Sequence, residues 1–140
     1  MQDITNPSYV GPGVWYMIHK LAADCKGVDA RKRFCKTMKK ICEDFPCINC
    51  AEHCKDYMDN HPIENYVNVI VEIDGVEKEA GLFFWTWKFH NAVNERLKKP
   101  TVSLEKAYRL YTAKSNVCSA ECIKSEQKEV KKLRRTKEYF

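Results

Sequence analysis

The sequence Phe45-Pro46-Cys47-Ile48-Asn49-Cys50 places a C-x-x-C pair directly after a proline and directly before a helical pattern. Proline is favoured at the start of a helix, because its missing N–H is not needed there. We therefore expect Cys47 at a helix N-terminus, where partial positive charge stabilises a thiolate. Two cysteines at this spacing suit thiol–disulfide exchange, but the same spacing also occurs in half of a zinc site and in structural disulfides.

Helical periodicity surrounds this pair on both sides. The breakers Asn6-Pro7-Ser8 and Gly11-Pro12-Gly13 are expected to precede the first helix. Apolar spacing then predicts helices at 14–25, 29–44 (with Asp29 as N-cap), 47–59 and 81–97, and a short one after Ser103. Between them, 66–79 combines a β-branched run, an Asp-Gly turn and an alternating run, which predicts a hairpin that leans on the helices or on a partner.

The composition is that of one globular domain. The chain has 140 residues, 44% of them hydrophobic, and eight cysteines. It has no apolar run of the roughly 20 residues that a membrane span needs. The N-terminus lacks the basic and apolar regions of a signal peptide. Many cysteines without an export signal point to metal or redox chemistry rather than to a secreted disulfide scaffold.

Positive charge is concentrated near the C-terminus. The net charge is +5, and 124–138 holds seven Lys/Arg and three Glu, which is +4. Such a tail can contact nucleic acid or an acidic partner, or it can be a solvated helix face. No aromatic residue lies among these charges before Tyr139, which argues against nucleic-acid binding by base stacking.

One predicted helix carries polar side chains within an aromatic sequence. His90, Asn91 and Asn94 share a face of it, and Trp15 and His19 lie one turn apart on the first helix. Such polar groups are costly to bury without partners. They form either an interhelical hydrogen-bond network or the walls of a site for a planar ligand.

Taken in order, these motifs resemble the Erv/ALR family of FAD-linked sulfhydryl oxidases. The pattern is G-x-x-x-W-x-x-x-H at 11–19, the C-x-x-C, then Trp85, H-N-A-V-N-E-R-L at 90–97, and Lys99-Pro100. The resemblance covers about 10–113 without the hairpin. It is most like the compact viral members. It implies an all-α fold: a four-helix bundle with a short fifth helix, here with a β-hairpin insertion near 66–79 and a basic C-terminal tail.

The resemblance also implies a set of site residues. Cys47 is the interchange sulfur and Cys50 the sulfur facing the flavin. The implied FAD contacts are Gly11, Trp15, His19, His53, Trp87, His90, Asn91, Val93, Asn94, Lys99 and Tyr111. The implied reaction passes electrons from dithiol proteins through the disulfide to FAD and then to O₂, giving H₂O₂, and the implied assembly is a homodimer. No metal is implied.

Two features depart from the family pattern. Many members have Arg where this chain has Pro12, which removes one contact to the phosphate or adenine. Many also carry a structural disulfide whose positions here are Trp87 and the region 102–103, so that bridge is missing.

The other cysteines have several interpretations. Cys118 and Cys122 resemble a shuttle disulfide, and a structural clasp or two free thiols are the alternatives. Two further cysteines lie two turns apart on one helix, too far for a mutual bridge, and are interpreted as buried apolar residues: Cys35 and Cys42. Two more can pair with each other, pair with another chain or stay unpaired: Cys25 and Cys54.

Residues 1–113 are thus expected to form the oxidase domain, and 114–140 a cysteine-containing basic tail. Two rival classes are a zinc module built on the C-x-x-C and tail cysteines, and a non-catalytic basic-tail adaptor. Without a shuttle arm or targeting segment, the chain is expected in the cytoplasm of a virus-infected host and in the virion. The alternative location is the mitochondrial intermembrane space.

Overall fold

A computed structural model of the chain describes residues 3–113 and residue 140, and within them the fold is almost entirely helical. The helices are α1 (Pro7–Ala23), α2 (Val28–Asp44), α3 (Ile48–Asn60), α4 (Gly81–Arg96) and α5 (Leu104–Thr112), with a short 3-10 helix at Ile63–Tyr66. The strands are β1 (Val71–Ile73) and β2 (Val76–Lys78). The predicted all-α fold with a small hairpin insertion is confirmed.

The first helix begins earlier than predicted. Asn6 is its N-cap, since the Asn6 side chain accepts a hydrogen bond from the backbone N–H of Ser8, and Pro7 occupies the first turn. Gly11-Pro12-Gly13 therefore lies inside α1, and the prediction that it breaks the chain before the helix is wrong. Pro12 is tolerated because it is on the exposed face, where water can bond to the carbonyl that lacks a helical partner.

The second helix differs from its prediction only at its start. Its N-cap is Gly27, with φ of 84° and no side-chain capping bond. Asp29 lies in the first turn, where a carboxylate favours the helix dipole, and the prediction that it is the N-cap is wrong.

Helix α4 is the centre of the bundle. It packs against α1, α5 and the 3-10 helix, while α2 packs against α3 and α1. Phe83, Trp85 and Thr86 of α4 and Met38 of α2 are completely buried. The Trp85 indole donates a 2.8 Å hydrogen bond to the carbonyl of His61, which satisfies its polar atom in the core. Across the described residues, no helix combines the length and apolarity that crossing a membrane requires.

The predicted hairpin forms and leans on the bundle. Its two-residue turn uses positive φ at Asp74 (52°) and Gly75 (77°), as a tight hairpin turn requires. Ile73 is only 1% exposed. Outside the strands, Arg31 of α2 forms a 2.7 Å ion pair with Glu79. The hairpin is thus held by one buried side chain, by the ion pair to α2 and by contacts of β1 with α5.

The segment before the hairpin comes very close to the start of α4. A Cβ added at Gly81 would lie 2.1 Å from the carbonyl oxygen of Tyr66 and 2.8 Å from the Cβ of Val69. Only glycine allows this approach, so Gly81 sets the distance between the insertion and the central helix.

Candidate active site

The C-x-x-C pair lies at the N-terminus of α3, as predicted. Cys47 and Cys50 form a disulfide with a Cα–Cα distance of 5.2 Å. Cys47 is the N-cap residue, and its sulfur accepts a 3.3 Å hydrogen bond from the backbone N–H of Cys50. Both side chains are half-buried. The position gives the Cys47 sulfur the positive end of the helix dipole, which favours its thiolate form.

Behind this disulfide is a cavity of about 920 Å³. This is near the upper end of the volumes of small-molecule pockets, and so suits a large ligand. Of the predicted site residues, eight line it: Gly11, Trp15, Cys50, His53, His90, Val93, Asn94 and Lys99. Cys50 is one of its lining residues and Cys47 is not, so only the Cys50 side of the disulfide borders the cavity.

The wall of the cavity is aromatic. The rings of Trp15 and His90 are parallel within 1°, with centroids 3.9 Å apart. Phe89 meets Trp15 edge-on at 5.2 Å. Trp15 and His90 come from α1 and α4, so packing of these two helices builds a face-to-face aromatic stack in the cavity wall.

Two buried histidines connect this wall to the core. His19 Nε2 lies 2.7 Å from His90 Nδ1, and His19 Nδ1 lies 3.0 Å from the hydroxyl oxygen of Thr86. Burial lowers the pKa of His19 well below its usual range. Burial, aided by the charge of Lys99, lowers the pKa of His90 to about 3. Both rings are therefore neutral near pH 7.

Two of the predicted cofactor residues make other contacts. The Asn91 side chain donates to the carbonyl of Val102 at 2.8 Å and accepts from the Val102 N–H at 3.0 Å. The Trp87 indole donates to the same carbonyl at 2.7 Å. Neither residue lines the cavity. These bonds tie α4 to the following loop at the positions where relatives are expected to carry a disulfide.

The C-terminal residue is an unexpected part of the cavity lining. The Phe140 ring stacks on His90 with centroids 3.9 Å apart and on His19 at 4.8 Å. The hydroxyl of Tyr111 donates to the Phe140 carbonyl at 2.5 Å. Tyr111 and His19 do not line the cavity directly. His19 stacks on the Phe140 ring, and Tyr111 hydrogen-bonds to the Phe140 carbonyl.

Two cations of the cavity were missed by the sequence interpretation. Arg96 and Lys106 line it together with Lys99. A weak signal for Arg96 was available, since it lies in the last turn of the helix that carries the H-N-A-V-N block. Lys106 belongs to α5, and only the packing of α5 brings it to the same wall.

The remaining cysteines divide into bonded and free. Cys42 and Cys54 form a disulfide between α2 and α3, with a Cα–Cα distance of 5.6 Å. The interpretation of Cys42 as an unbonded apolar residue is therefore wrong, and so is the Cys25–Cys54 alternative. Cys35 is free and buried, as predicted, and Cys25 is free and half-buried.

Two further predictions concern the cysteines and a metal. Cys118 and Cys122, predicted as a shuttle pair, lie outside the described residues. Within the part of the chain that is described, no group of three His, Cys, Asp or Glu could hold a metal ion.

Comparisons with known proteins agree with this geometry. The model of the Erv1 / Alr family matches residues 12–114. An FAD-linked sulfhydryl oxidase of African swine fever virus (isolate Warthog/Namibia/Wart80/1980) is 25% identical over 104 residues, covering 72% of this chain and 78% of that protein. A protein of Invertebrate iridescent virus 3 is 27% identical over 109 residues, covering 76% of this chain and 68% of that protein.

A solved structure shares the fold. The crystal structure of the yeast Erv1 core matches with a TM-score of 0.64 at 19% identity, over 79% of this chain and 87% of that chain. At this level of identity the match establishes the arrangement of helices.

Proposed function

The chain belongs to the Erv1/Alr family and is an FAD-linked thiol oxidase, and on that premise we propose that it forms disulfides in protein substrates at Cys47–Cys50. The overall reaction is 2 R–SH + O₂ → R–S–S–R + H₂O₂. One observation carries the assignment: the Cys47–Cys50 disulfide separates the protein surface from an aromatic cavity, and Cys50 is part of the cavity wall.

The cavity has the chemistry that FAD requires. The Trp15–His90 stack places an aromatic face, on which the Phe140 ring now lies, where a planar heterocycle can stack. Lys99, Arg96 and Lys106 supply positive charge for a pyrophosphate. A Cβ added at Gly11 would meet no atom within 4 Å, so the helix backbone borders open space there.

Thiol exchange at the disulfide follows from the environment of the two sulfurs. A substrate thiolate attacks Cys47, the sulfur outside the cavity, and the electron pair of the broken S–S bond leaves on Cys50 as a thiolate. A second substrate thiol then displaces Cys47, which the helix N-terminus stabilises as a thiolate. When bound, FAD supplies the two-electron acceptor that restores the disulfide and passes the electrons to O₂.

The surface beside Cys47 suits a protein substrate. Ile48, between the two cysteines, is 76% exposed although it is a large apolar residue. An exposed apolar side chain next to the reactive sulfur offers a contact for the chain that flanks a substrate cysteine.

The proposed active form is a homodimer. Helix α1 exposes four large apolar or aromatic side chains on one side: Tyr9, Tyr16, Met17 and Leu21, which are 51%, 44%, 49% and 40% exposed. A second copy of the chain would cover this surface. A Met17→Glu/Leu21→Glu variant should be monomeric by light scattering at concentrations where the wild type is dimeric, and equal masses would reject the assignment of α1 to the interface.

The proposed setting is viral. Matching relatives come from African swine fever virus and Invertebrate iridescent virus 3, and this supports a role in disulfide formation for virion proteins in the host cytoplasm and the virion. The mitochondrial intermembrane space is the alternative. Immunogold labelling of infected or expressing cells would separate the two.

The reaction is tested with cysteine variants. Cys47→Ser and Cys50→Ser should each abolish dithiol-dependent oxygen uptake and peroxide formation while the purified protein keeps its flavin. Cys25→Ser is the matched control, because Cys25 is a free thiol outside the cavity lining, and it should keep wild-type turnover. Unchanged turnover in Cys47→Ser and Cys50→Ser would refute the route.

The proposed route from protein substrates includes Cys118 and Cys122, in the tail that follows the proposed oxidase domain of residues 1–113. If these cysteines carry electrons to Cys47, a Cys118→Ser/Cys122→Ser variant should oxidise a reduced protein more slowly relative to dithiothreitol than the wild type does. An unchanged ratio would remove the shuttle from the proposal without affecting the rest.

A further inference from the structure

The two buried histidines take part in one directed chain of hydrogen bonds that starts at a threonine. The hydroxyl oxygen of Thr86 lies 2.7 Å from the carbonyl oxygen of Phe83. Two oxygens approach this closely only when a hydrogen lies between them, and the carbonyl has none to give. The single hydroxyl hydrogen of Thr86 is thus committed to Phe83.

That commitment determines the proton on His19. With its hydrogen used, the Thr86 oxygen can only accept from His19 Nδ1, which lies 3.0 Å away. His19 Nδ1 therefore carries the proton. Because burial keeps His19 neutral, it has a single ring proton, and His19 Nε2 is an acceptor.

The acceptor on His19 Nε2 in turn determines the proton on His90. His90 Nδ1 lies 2.7 Å from His19 Nε2 and must donate to it. His90 is also neutral, so its Nε2 carries a lone pair. Among the described residues, His90 Nε2 has no hydrogen-bond partner. Every fully buried side-chain nitrogen or oxygen in them has such a partner, so His90 Nε2 is not fully buried. His90 Nε2 is therefore reached from the cavity that His90 lines.

We propose that Thr86 is a positioning residue that holds His90 in the tautomer with its proton on Nδ1, so that His90 Nε2 accepts a hydrogen bond from an N–H or O–H group of bound FAD. The inference rests on the proposed function for the identity of the ligand. FAD carries such donors in its adenine amino group, its hydroxyl groups and the imide of its isoalloxazine. A ligand group with only lone pairs at that point would be rejected.

Thr86 is well placed to position His90, and it cannot contact a ligand in the cavity itself. It is completely buried and does not line the cavity, its hydroxyl hydrogen is donated to Phe83, and its oxygen accepts from His19. Valine has nearly the same shape without the oxygen. In a Thr86→Val variant His19 Nδ1 would lose its acceptor, so the proton on each ring is expected to move to Nε2. His90 would then present a donor where the wild type presents an acceptor.

The experiment measures tautomers and affinity separately on the full chain. In ¹⁵N–¹H correlation spectra of the apoprotein near pH 7.5, His19 and His90 should each show a protonated Nδ1 and an unprotonated Nε2. The spectrum of Thr86→Val should show the reverse on both rings. The affinity for FAD, followed by quenching of flavin fluorescence, should fall about tenfold, as expected for loss of one hydrogen bond. Thr86→Ser restores the oxygen, and should keep the wild-type tautomers and bind FAD within about twofold of the wild type.

The outcomes discriminate between the possible failures. A wild-type His90 protonated at Nε2 would overturn the proposal by itself, even if Thr86→Val does not fold. Weaker FAD binding by Thr86→Val with unchanged tautomers would mean that Thr86 is only structural, and would also overturn it. If the spectra show the proposed tautomers but the protein binds no FAD, the proposed function and the identity of the ligand are refuted. The chain of hydrogen bonds from Thr86 to His90 is then still supported.

Discussion

Removal of the Cys42–Cys54 disulfide should lower the free energy of unfolding by about 3 kcal/mol. The bridge joins residues 12 apart in sequence. In the chain-entropy treatment, a crosslink that closes a loop of this size removes about 3 kcal/mol of conformational freedom from the unfolded state. The linked helices are α2 and α3, which carry Cys42 and Cys54, so the bridge also restrains the helix whose N-terminus holds the proposed reactive pair.

The double variant Cys42→Ala/Cys54→Ala is the appropriate perturbation, since a single variant would leave one thiol free to exchange with Cys47. Alanine also removes buried sulfur, which costs packing energy independent of the bridge. Cys35→Ala measures that cost, because Cys35 is a free cysteine that is 7% exposed, close to 5% for Cys42 and 7% for Cys54.

The assay is urea unfolding of the apoprotein under oxidising conditions, with peptide mapping to verify the Cys42–Cys54 link. At a typical urea dependence of 1–3 kcal/mol per M, 3 kcal/mol corresponds to a midpoint lower by roughly 1–3 M. The entropic reasoning is refuted if the loss in the double variant is no larger than twice the loss in Cys35→Ala.

Three more predictions concern the cavity. Gly11→Ala places a methyl group in the cavity and should weaken FAD binding. Gly13→Ala is the control, because its added methyl group meets nothing within 4 Å and Gly13 does not line the cavity. Its FAD dissociation constant, measured by titration with FAD, should equal that of the wild type. Because the folded pKa of His90 is about 3, below its unfolded value near 6.5, stability should fall by about 1.4 kcal/mol per pH unit for this residue as the pH drops below 6.5. Urea midpoints at pH 7, 6 and 5, above the range of carboxyl titration, test this, and His90→Gln should reduce the slope. Phe140→Ala frees the aromatic wall and should tighten FAD binding in an equilibrium titration, while equal affinity would show that the ring does not compete.

Local signals predicted the helices well and the boundaries less well. The apolar spacing of 29–44 and the Asp-Gly turn at Asp74 are short-range features, so they could be interpreted without knowledge of the packing. The prediction that Gly11-Pro12-Gly13 precedes the first helix is wrong, because the Asn6 cap and the exposed position of Pro12 outweigh the low helix propensity of these residues.

What the sequence could not predict depends on contacts between helices. The Cys42–Cys54 pairing needs the packing of α2 on α3, and the contact of Thr86 with His19 needs the approach of α1 to α4. Neither has a signature in residue spacing. The resemblance identified eight of the residues that line the cavity, but it could not show that the Asn91 side chain is hydrogen-bonded to the backbone of Val102 instead.

Two disulfides occur within a stretch of 13 residues, and their positions support the proposal that one exchanges with substrates while the other does not. Exchange requires an attacking thiolate to reach a sulfur, and it is faster when the leaving thiol is acidic. Cys42 and Cys54 are 5% and 7% exposed, so an attacking thiolate in solution has little access to either sulfur. Cys47 is half-buried and lies at the N-cap of α3, where its thiolate is stabilised. Burial and helix position thus favour the exchange proposed at Cys47–Cys50 and protect the Cys42–Cys54 bridge that holds α2 and α3 together.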